Sequence, residues 1–206
     1  VDSGIFIGSR SFGDMNKLAI FSSGTGSNAA RIIRHFQGNP SISVDLIVCN
    51  NPHAGVLNIA SAAGIPVLLI EKEQFFRGTA YVPELQARGI GFIVLAGFLW
   101  KIPGKLVEAY SRRIVNIHPA LLPKYGGKGM YGHFVHEAVI ESGDKESGIT
   151  IHYVDDLYDH GQVIFQAKVA VDPEDTPETL AKKIQYLEHN HFPRVIEEAV
   201  KGLNPR

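Results

Sequence analysis

Asn116 and His118 stand two apart in the run Asn116-Ile117-His118-Pro119. If that run is a strand, two-residue spacing puts both side chains on one face. A carboxamide beside an imidazole can donate hydrogen bonds to an oxyanion that develops on a carbonyl, and the imidazole can move a proton. Alone, the pair reads equally well as a structural Asn and His with satisfied hydrogen bonds. Two neighbours in sequence strengthen the chemical reading. Leu121-Leu122-Pro123-Lys124-Tyr125 follows directly, and an acidic loop, Asp155-Asp156-Leu157-Tyr158-Asp159-His160-Gly161, comes later. A carboxylate from that loop would orient His118 and favour its charged form.

A second candidate lies near the start of the chain. Ser22-Ser23-Gly24-Thr25-Gly26-Ser27-Asn28 follows an apolar run and precedes an amphipathic stretch. Glycines permit a tight turn, Ser27 and Asn28 can cap the helix, and free backbone N–H groups with the helix dipole would receive an anion, for which a phosphate is the natural guest. The bland alternative is a plain strand-to-helix turn. No Lys follows the glycines, which excludes an ATP-type phosphate loop. The spelling Gly24-x-Gly26-x-x-Ala29 also fits a dinucleotide fingerprint, but that pattern asks for an acid at the end of the second strand, where the sequence has Cys49-Asn50-Asn51.

The elements that must position these residues follow from hydrophobic rhythm. Short apolar, β-branched runs predict strands at Leu18–Phe21, Val44–Cys49, Val67–Ile70, Phe92–Ala96 and Ile114–His118, with helices near 28–37, 55–63, 73–88 and 103–110 between them. Strands apolar almost throughout imply helices on both faces of a parallel sheet, so the expected fold class is α/β with a Rossmann-like, mostly parallel sheet. The rhythm then changes to a Gly-rich stretch (126–132), a helix to about Ser142, strands at Ile149–Val154 and Val163–Ala167, and a last helix over roughly 177–200. With no internal repeat or linker, residues 15–206 read as a single domain. Residues 1–14 lack any period and read as a disordered start or an expression remnant. In the two-residue alternation of the fifth strand, Asn116 and His118 face the carboxyl edge, where open α/β sheets bind ligands.

Composition narrows the partners. Lys+Arg 20 against Asp+Glu 21 gives a net charge of −1 with no basic patch, which excludes a charge-driven grip on nucleic acid. No apolar run is long enough to cross a bilayer. The single cysteine, Cys49, excludes an internal disulfide and a multi-cysteine zinc cluster, and fits a reducing cytoplasm. Of the 9 histidines, His133 and His136 stand three apart on a predicted helix, but a metal needs a third ligand that the sequence does not offer, so no metal is expected. Trp100 and Phe75-Phe76 read as packing residues rather than stacking platforms.

Taken in order, the Ser23–Asn28 loop, Leu95-Ala96-Gly97-Phe98, the Asn116–Tyr125 run, Ser147-Gly148-Ile149-Thr150-Ile151-His152 and Asp159-His160-Gly161 make the chain resemble the folate-dependent glycinamide ribonucleotide formyltransferases of purine synthesis. The match runs across nearly everything after Met15. The resemblance implies a formyltransferase-type fold and transfer of a formyl group from 10-formyltetrahydrofolate, a co-substrate, to the amine of glycinamide ribonucleotide, without a metal. It makes Asn116, His118 and Asp159 the catalytic group; Gly26, Ser27, Asn28, Gln185 and Glu188 the ribonucleotide site; and Leu99, Trp100, Lys101, Ile102, Asp155 and Asp156, together with Asn116 and Asp159, the folate site. It further implies small-molecule substrates rather than nucleic acid or membrane, and a monomer or homodimer. Two departures stand out: Trp100-Lys101 falls where the family pattern suggests an Arg, and the segment from Gly126 to His133 is longer and richer in glycine. The alternatives are a formyltetrahydrofolate hydrolase, whose extra regulatory domain has no room in 206 residues, and a non-catalytic dinucleotide-binding module.

Overall fold

The computed structural model describes residues 16–203, so the expectation for residues 1–14 lies outside the described residues. Seven strands form one sheet: β1 (Asn16–Ser22), β2 (Ile42–Cys49), β3 (Val67–Leu69), β4 (Ile90–Leu95), β5 (Ile114–His118), β6 (Glu146–Tyr153) and β7 (Val163–Ala170). The helices are α1 (Ser27–Phe36), α2 (Val56–Ala63), α3 (Lys72–Phe76), α4 (Val82–Ala87), α5 (Gly104–Ala109), α6 (His133–Ser142) and α7 (Pro177–Gly202). In space the strands run β3-β2-β1-β4-β5-β6-β7. The first five are parallel; β6 pairs antiparallel with β5, and β7 pairs antiparallel with β6.

The sheet has a core on each face, as its apolar strands require. On one face Leu18, Ile20, Phe92 and Val94 pack with Ala29 and Ile32 of α1 and Leu180, Ile184 and Ile196 of α7. On the other, Ala19, Phe21, Ile93 and Leu95 pack with Phe75, Leu85 and Leu106 of α3, α4 and α5. Alternate residues of one strand thus serve opposite cores. Each fully buried Ile or Phe stabilises the fold by about 1.5–3 kcal/mol.

Three elements differ from the sequence expectation. The single helix over 73–88 is two short ones, because Ala80 (φ 52°) and Tyr81 (φ 58°) adopt left-handed backbone between them. The Tyr81 hydroxyl accepts the Glu71 N–H at 2.9 Å, a tertiary contact that fixes the break. β3 is an edge strand whose Val67 and Leu69 are exposed, so only part of its apolar run is covered. Ser27 and Asn28 lie inside α1 rather than capping it: the N-cap is Gly26, in left-handed backbone at φ 80° and without a side-chain cap.

The sheet order reverses direction between β1 and β4. This is the topological switch point, where the loops leaving adjacent strands part and open a crevice at the carboxyl edge. The β1–α1 loop and the segment after β4 border that crevice, and they are tied together. Ser23 N–H donates to the Gly97 carbonyl at 3.0 Å, and the Leu99 N–H donates to Ser23 Oγ at 3.0 Å.

Candidate active site

β5 carries Asn116 and His118 to the floor of the crevice, and β6 supplies their cross-strand neighbours: Asn116 is paired with His152 and His118 with Thr150. Directly opposed residues share a face, so four polar side chains gather at one end of two apolar strands. Each has a different task. Thr150 Oγ1 donates to the Ala120 carbonyl at 2.7 Å and accepts the Leu122 N–H at 3.0 Å, fixing the turn after His118. That turn delivers the Tyr125 carbonyl to His118, whose Nε2 donates to it at 2.7 Å. The other nitrogen, Nδ1, is thereby presented to Asp159, whose Oδ2 lies 3.6 Å away.

Asp159 has left-handed backbone, φ 51°, in the loop between β6 and β7. Its Oδ2 also accepts the Gly127 N–H at 2.9 Å, which ties the Gly-rich segment to the reaction centre. Oδ1 lies 3.5 Å from Asn116 Nδ2 and 3.7 Å from His152 Nε2. His152 is buried and its Nδ1 donates to the Tyr153 carbonyl at 2.8 Å, so in the neutral ring Nε2 is an acceptor. It takes a hydrogen from Asn116 Nδ2 at 3.1 Å. This bond orients the carboxamide and leaves its second N–H directed away from His152.

Burial sets the protonation of the centre. It pulls the His118 imidazole below the ordinary histidine value, and the Asp159 carboxylate and Tyr125 carbonyl, which favour the charged ring, do not outweigh it. His118 is therefore neutral at pH 7 in the free protein, a correction to the charged state expected from Asp159 alone. Burial pushes Asp159 upward, but the His152 and His118 rings and the Gly127 N–H together hold it below the usual carboxylate range. The pair rests as a neutral imidazole facing a carboxylate.

These groups open into a cavity of about 900 Å³ that extends in two directions. Toward α1 and α7 its wall includes Thr25, Asn28, Gln185 and Glu188. The first turn of α1 carries no acidic residue, and its leading N–H groups have no intrahelical partners, which suits an anion. Gln185 Nε2 reaches Ser27 Oγ at 3.4 Å, and Asn28 Nδ2 donates to Glu188 Oε2 at 2.9 Å. Burial raises the Glu188 carboxyl, against the pull of that Asn28 bond. Gly26 and Ser27 do not themselves line the wall but join Thr25 to Asn28 within the same turn.

In the other direction the cavity is bounded by Leu99, Trp100, Lys101 and Ile102 and by Asp155, Leu157 and Tyr158. Trp100 leans on Phe75 and Phe76, each at 5.6 Å between ring centroids, which is a packing role. Lys101 Nζ lies 5.9 Å over the Tyr158 ring, linking the two sides of the mouth. Asp155 is held below the usual range: burial opposes this, but the His160 ring bonds Oδ2 at 2.8 Å and the Leu157 N–H bonds Oδ1. Asp156 is not part of the wall, and its Oδ1 lies against the start of α5 at Gly104. Its separation from Asp155 follows from the turn that the latter organises.

The sequence reading gave His152 no role at the reaction centre, where it orients Asn116. Its signal was present, since Thr150 and His152 repeat the two-residue spacing of Asn116 and His118. Among the described residues no group of three or more His, Cys, Asp or Glu is arranged to hold a metal ion, and no helix is long and apolar enough to cross a membrane.

This is an α/β protein whose switch-point cavity joins a helix N-terminus without acidic residues to an imidazole, a carboxamide and a carboxylate, groups suited to acid–base and group-transfer chemistry. The chain belongs to the formyl transferase family, which matches residues 16–196. It is 43% identical over 195 residues to the chloroplastic phosphoribosylglycinamide formyltransferase of Arabidopsis thaliana, covering 90% of this chain and 67% of that protein. Against the phosphoribosylglycinamide formyltransferase of Bacillus subtilis it is 36% identical, with 93% and 98% covered. The crystal structure of the Bacillus halodurans phosphoribosylglycinamide formyltransferase superposes with a TM-score of 0.80 at 36% identity, covering 89% of this chain and 94% of that one.

Proposed function

We propose that this chain is a phosphoribosylglycinamide formyltransferase. It transfers the formyl group of 10-formyltetrahydrofolate to the primary amine of glycinamide ribonucleotide, giving formylglycinamide ribonucleotide and tetrahydrofolate in the purine (IMP) pathway. Residues 15–206 work as one formyltransferase domain. The observation that carries this reading is the position of Asn116, His118 and Asp159 between the two ends of one cavity, one suited to a phosphate and the other to a largely apolar ring system. The ribonucleotide phosphate sits on the Gly26–Asn28 turn, with Gln185 and Glu188 beside the ribose. The raised carboxyl of Glu188 suits hydroxyl groups rather than phosphate. The folate enters past Leu99–Ile102 and the Asp155–Asp159 loop, with backbone groups of both segments taking its polar edge. No metal is assigned, and the lone Cys49 favours a reducing, cytoplasmic setting.

The chemistry follows from the resting state of the centre. The amine nitrogen attacks the formyl carbon and the carbonyl oxygen becomes an oxyanion, which takes the second N–H of Asn116 from its long 3.5 Å bond to Asp159 Oδ1. The proton lost by the attacking amine goes to His118 Nδ1, whose lone pair faces the cavity because Nε2–H is committed to Tyr125. Asp159 at 3.6 Å then stabilises the imidazolium. Collapse of the intermediate breaks the bond from the formyl carbon to the folate N10, and His118 returns the proton to that nitrogen.

The test mixes the protein with both substrates and quantifies formylated ribonucleotide against free formate. Formylated product is the expected result. Formate alone would make the protein a hydrolase, and no consumption of formyl-folate would overturn both enzymatic readings.

A further inference from the structure

The mechanism leaves one buried imidazole of the cavity unused. His136, on α6, is 6% exposed, and its Nδ1 is buried without any partner. Nε2 makes no hydrogen bond to protein among the described residues, although the ring lines the cavity. A buried ring nitrogen without a partner is costly, and a satisfied core histidine would not look like this. Burial, with the neighbouring charges of His133 and His118, lowers its pKa to about 4, so at pH 7 the ring is neutral and carries one proton. Orphaned N–H groups are rarer in protein interiors than orphaned acceptors, which places the proton on Nε2 and leaves a lone pair at Nδ1. The ring therefore offers the cavity a neutral hydrogen-bond donor.

Its place identifies the acceptor. α6 packs against α7, whose Gln185 and Glu188 line the ribonucleotide end, and His118, close enough for its charge to be felt at His136, marks where the reacting amine must lie. In glycinamide ribonucleotide the oxygen next to that amine is the carbonyl of the glycinamide arm. Resting on the functional reading above, we propose that His136 donates a hydrogen bond from Nε2 to this carbonyl. It thereby holds the amine over His118 and distinguishes the substrate from ribose phosphates that lack the arm.

The experiment compares wild type with His136→Phe and His136→Gln. For His136→Phe, KM for glycinamide ribonucleotide should rise about tenfold, the effect of one net hydrogen bond. The value of kcat should stay within about threefold and KM for the folate should not change, as expected for uniform binding lost on one substrate. His136→Gln, which keeps a donor, should recover part of the loss. Binding of ribose 5-phosphate by calorimetry should be equal in all three proteins. The free His136→Phe protein should melt no lower than wild type, because an unpaired buried nitrogen has been removed. An unchanged ribonucleotide KM in His136→Gln and His136→Phe would overturn the proposal, as would an equal loss of ribose 5-phosphate binding. If His136→Phe does not fold, a lower melting temperature of His136→Gln with wild-type kinetics would reduce the residue to a structural role. Absence of formylated product in wild type would instead overturn the functional reading, and this proposal with it.

Discussion

Asp159 matters most to His118 after the imidazole has taken a proton, since burial keeps the ring neutral beforehand. Replacing Asp159 by Asn should therefore depress kcat by about 10²–10⁴-fold with little change in either KM, the pattern of an interaction made only in the transition state. His118→Ala should fall as far, and the double variant should lose much less than the product of the two. Fully multiplicative losses in steady-state kinetics would show that the two side chains act independently. A second residue-level consequence concerns pH. The folded His136 gains its proton only near pH 4, whereas the unfolded residue gains it near the ordinary histidine value of 6.5. Between those values the unfolded state binds more protons, so this residue's contribution makes stability rise with pH and fall on acidification. Glu188, raised by burial, contributes the opposite slope above the ordinary glutamate range. Urea unfolding from pH 7 to 5 should accordingly show a smaller loss for His136→Phe than for wild type, with Glu188 common to both; equal slopes would contradict the burial of that ring. Much of the centre was legible in the sequence. Asn116 and His118 were marked by spacing and residue type and Asp159, among the acids of its loop, by the family resemblance; the structure places Asp159 3.5 Å from Asn116 and 3.6 Å from His118. The roles of His152 and His136 were not, because one depends on the antiparallel register of β5 with β6 and the other on what fails to reach a ring in three dimensions.

At the scale of elements, apolar runs reported strand positions well, since a strand buried on both faces must be apolar throughout. The helix over 73–88 was misread because its break depends on left-handed Ala80 and Tyr81, residues that carry no such preference in sequence. The β1–α1 turn shows the reverse case, in which glycine spelling does state a geometry. Gly26 needs φ 80°, and a Cβ there would lie 2.8 Å from Ile59 Cδ1 and 2.9 Å from Val56 Cβ. Gly26→Ala should destabilise the protein by about 1–3 kcal/mol through backbone strain and displaced packing of α2. It should also rotate the first N–H groups of α1 away from the phosphate, raising KM for the ribonucleotide more than for the folate. Thermal melting with the two KM values measures both effects, and an unstrained, fully active variant would remove this turn from the site. Ser27→Asp tests the same turn without altering its backbone. A carboxylate beside the bound phosphate should raise the ribonucleotide KM selectively, whereas an equal effect on both substrates would mean that the turn does not discriminate them.

For the whole molecule, the decisive feature is that the two ends of the cavity are built by different parts of the chain. The end proposed for the phosphate depends on α1 and α7, which share one hydrophobic core; the opposite end depends on the segments after β4 and β6, braced largely by the other core through Ile102 and Val154. The switch point between β1 and β4 joins them, through the Ser23 bonds to Gly97 and Leu99. Each substrate should then bind and stabilise the free protein by itself, without the other having to form its site. A ligand at 100 times its Kd stabilises a native state by about 2.7 kcal/mol, or roughly 5–10 °C in Tm for a protein of this size. Glycinamide ribonucleotide alone and a non-reactive folate analogue alone should each give such a shift, and the two together should give approximately the sum. NAD should give none, since β2 ends in Cys49-Asn50-Asn51 and Asn51 Nδ2 is turned to the Ser23 carbonyl at 3.4 Å, leaving no carboxylate for a ribose. Thermal melts with each compound settle the matter: a shift with NAD and none with folate would favour a dinucleotide-binding module, and a folate shift that appears only after ribonucleotide is bound would show that the two ends of the cavity are coupled rather than independently formed.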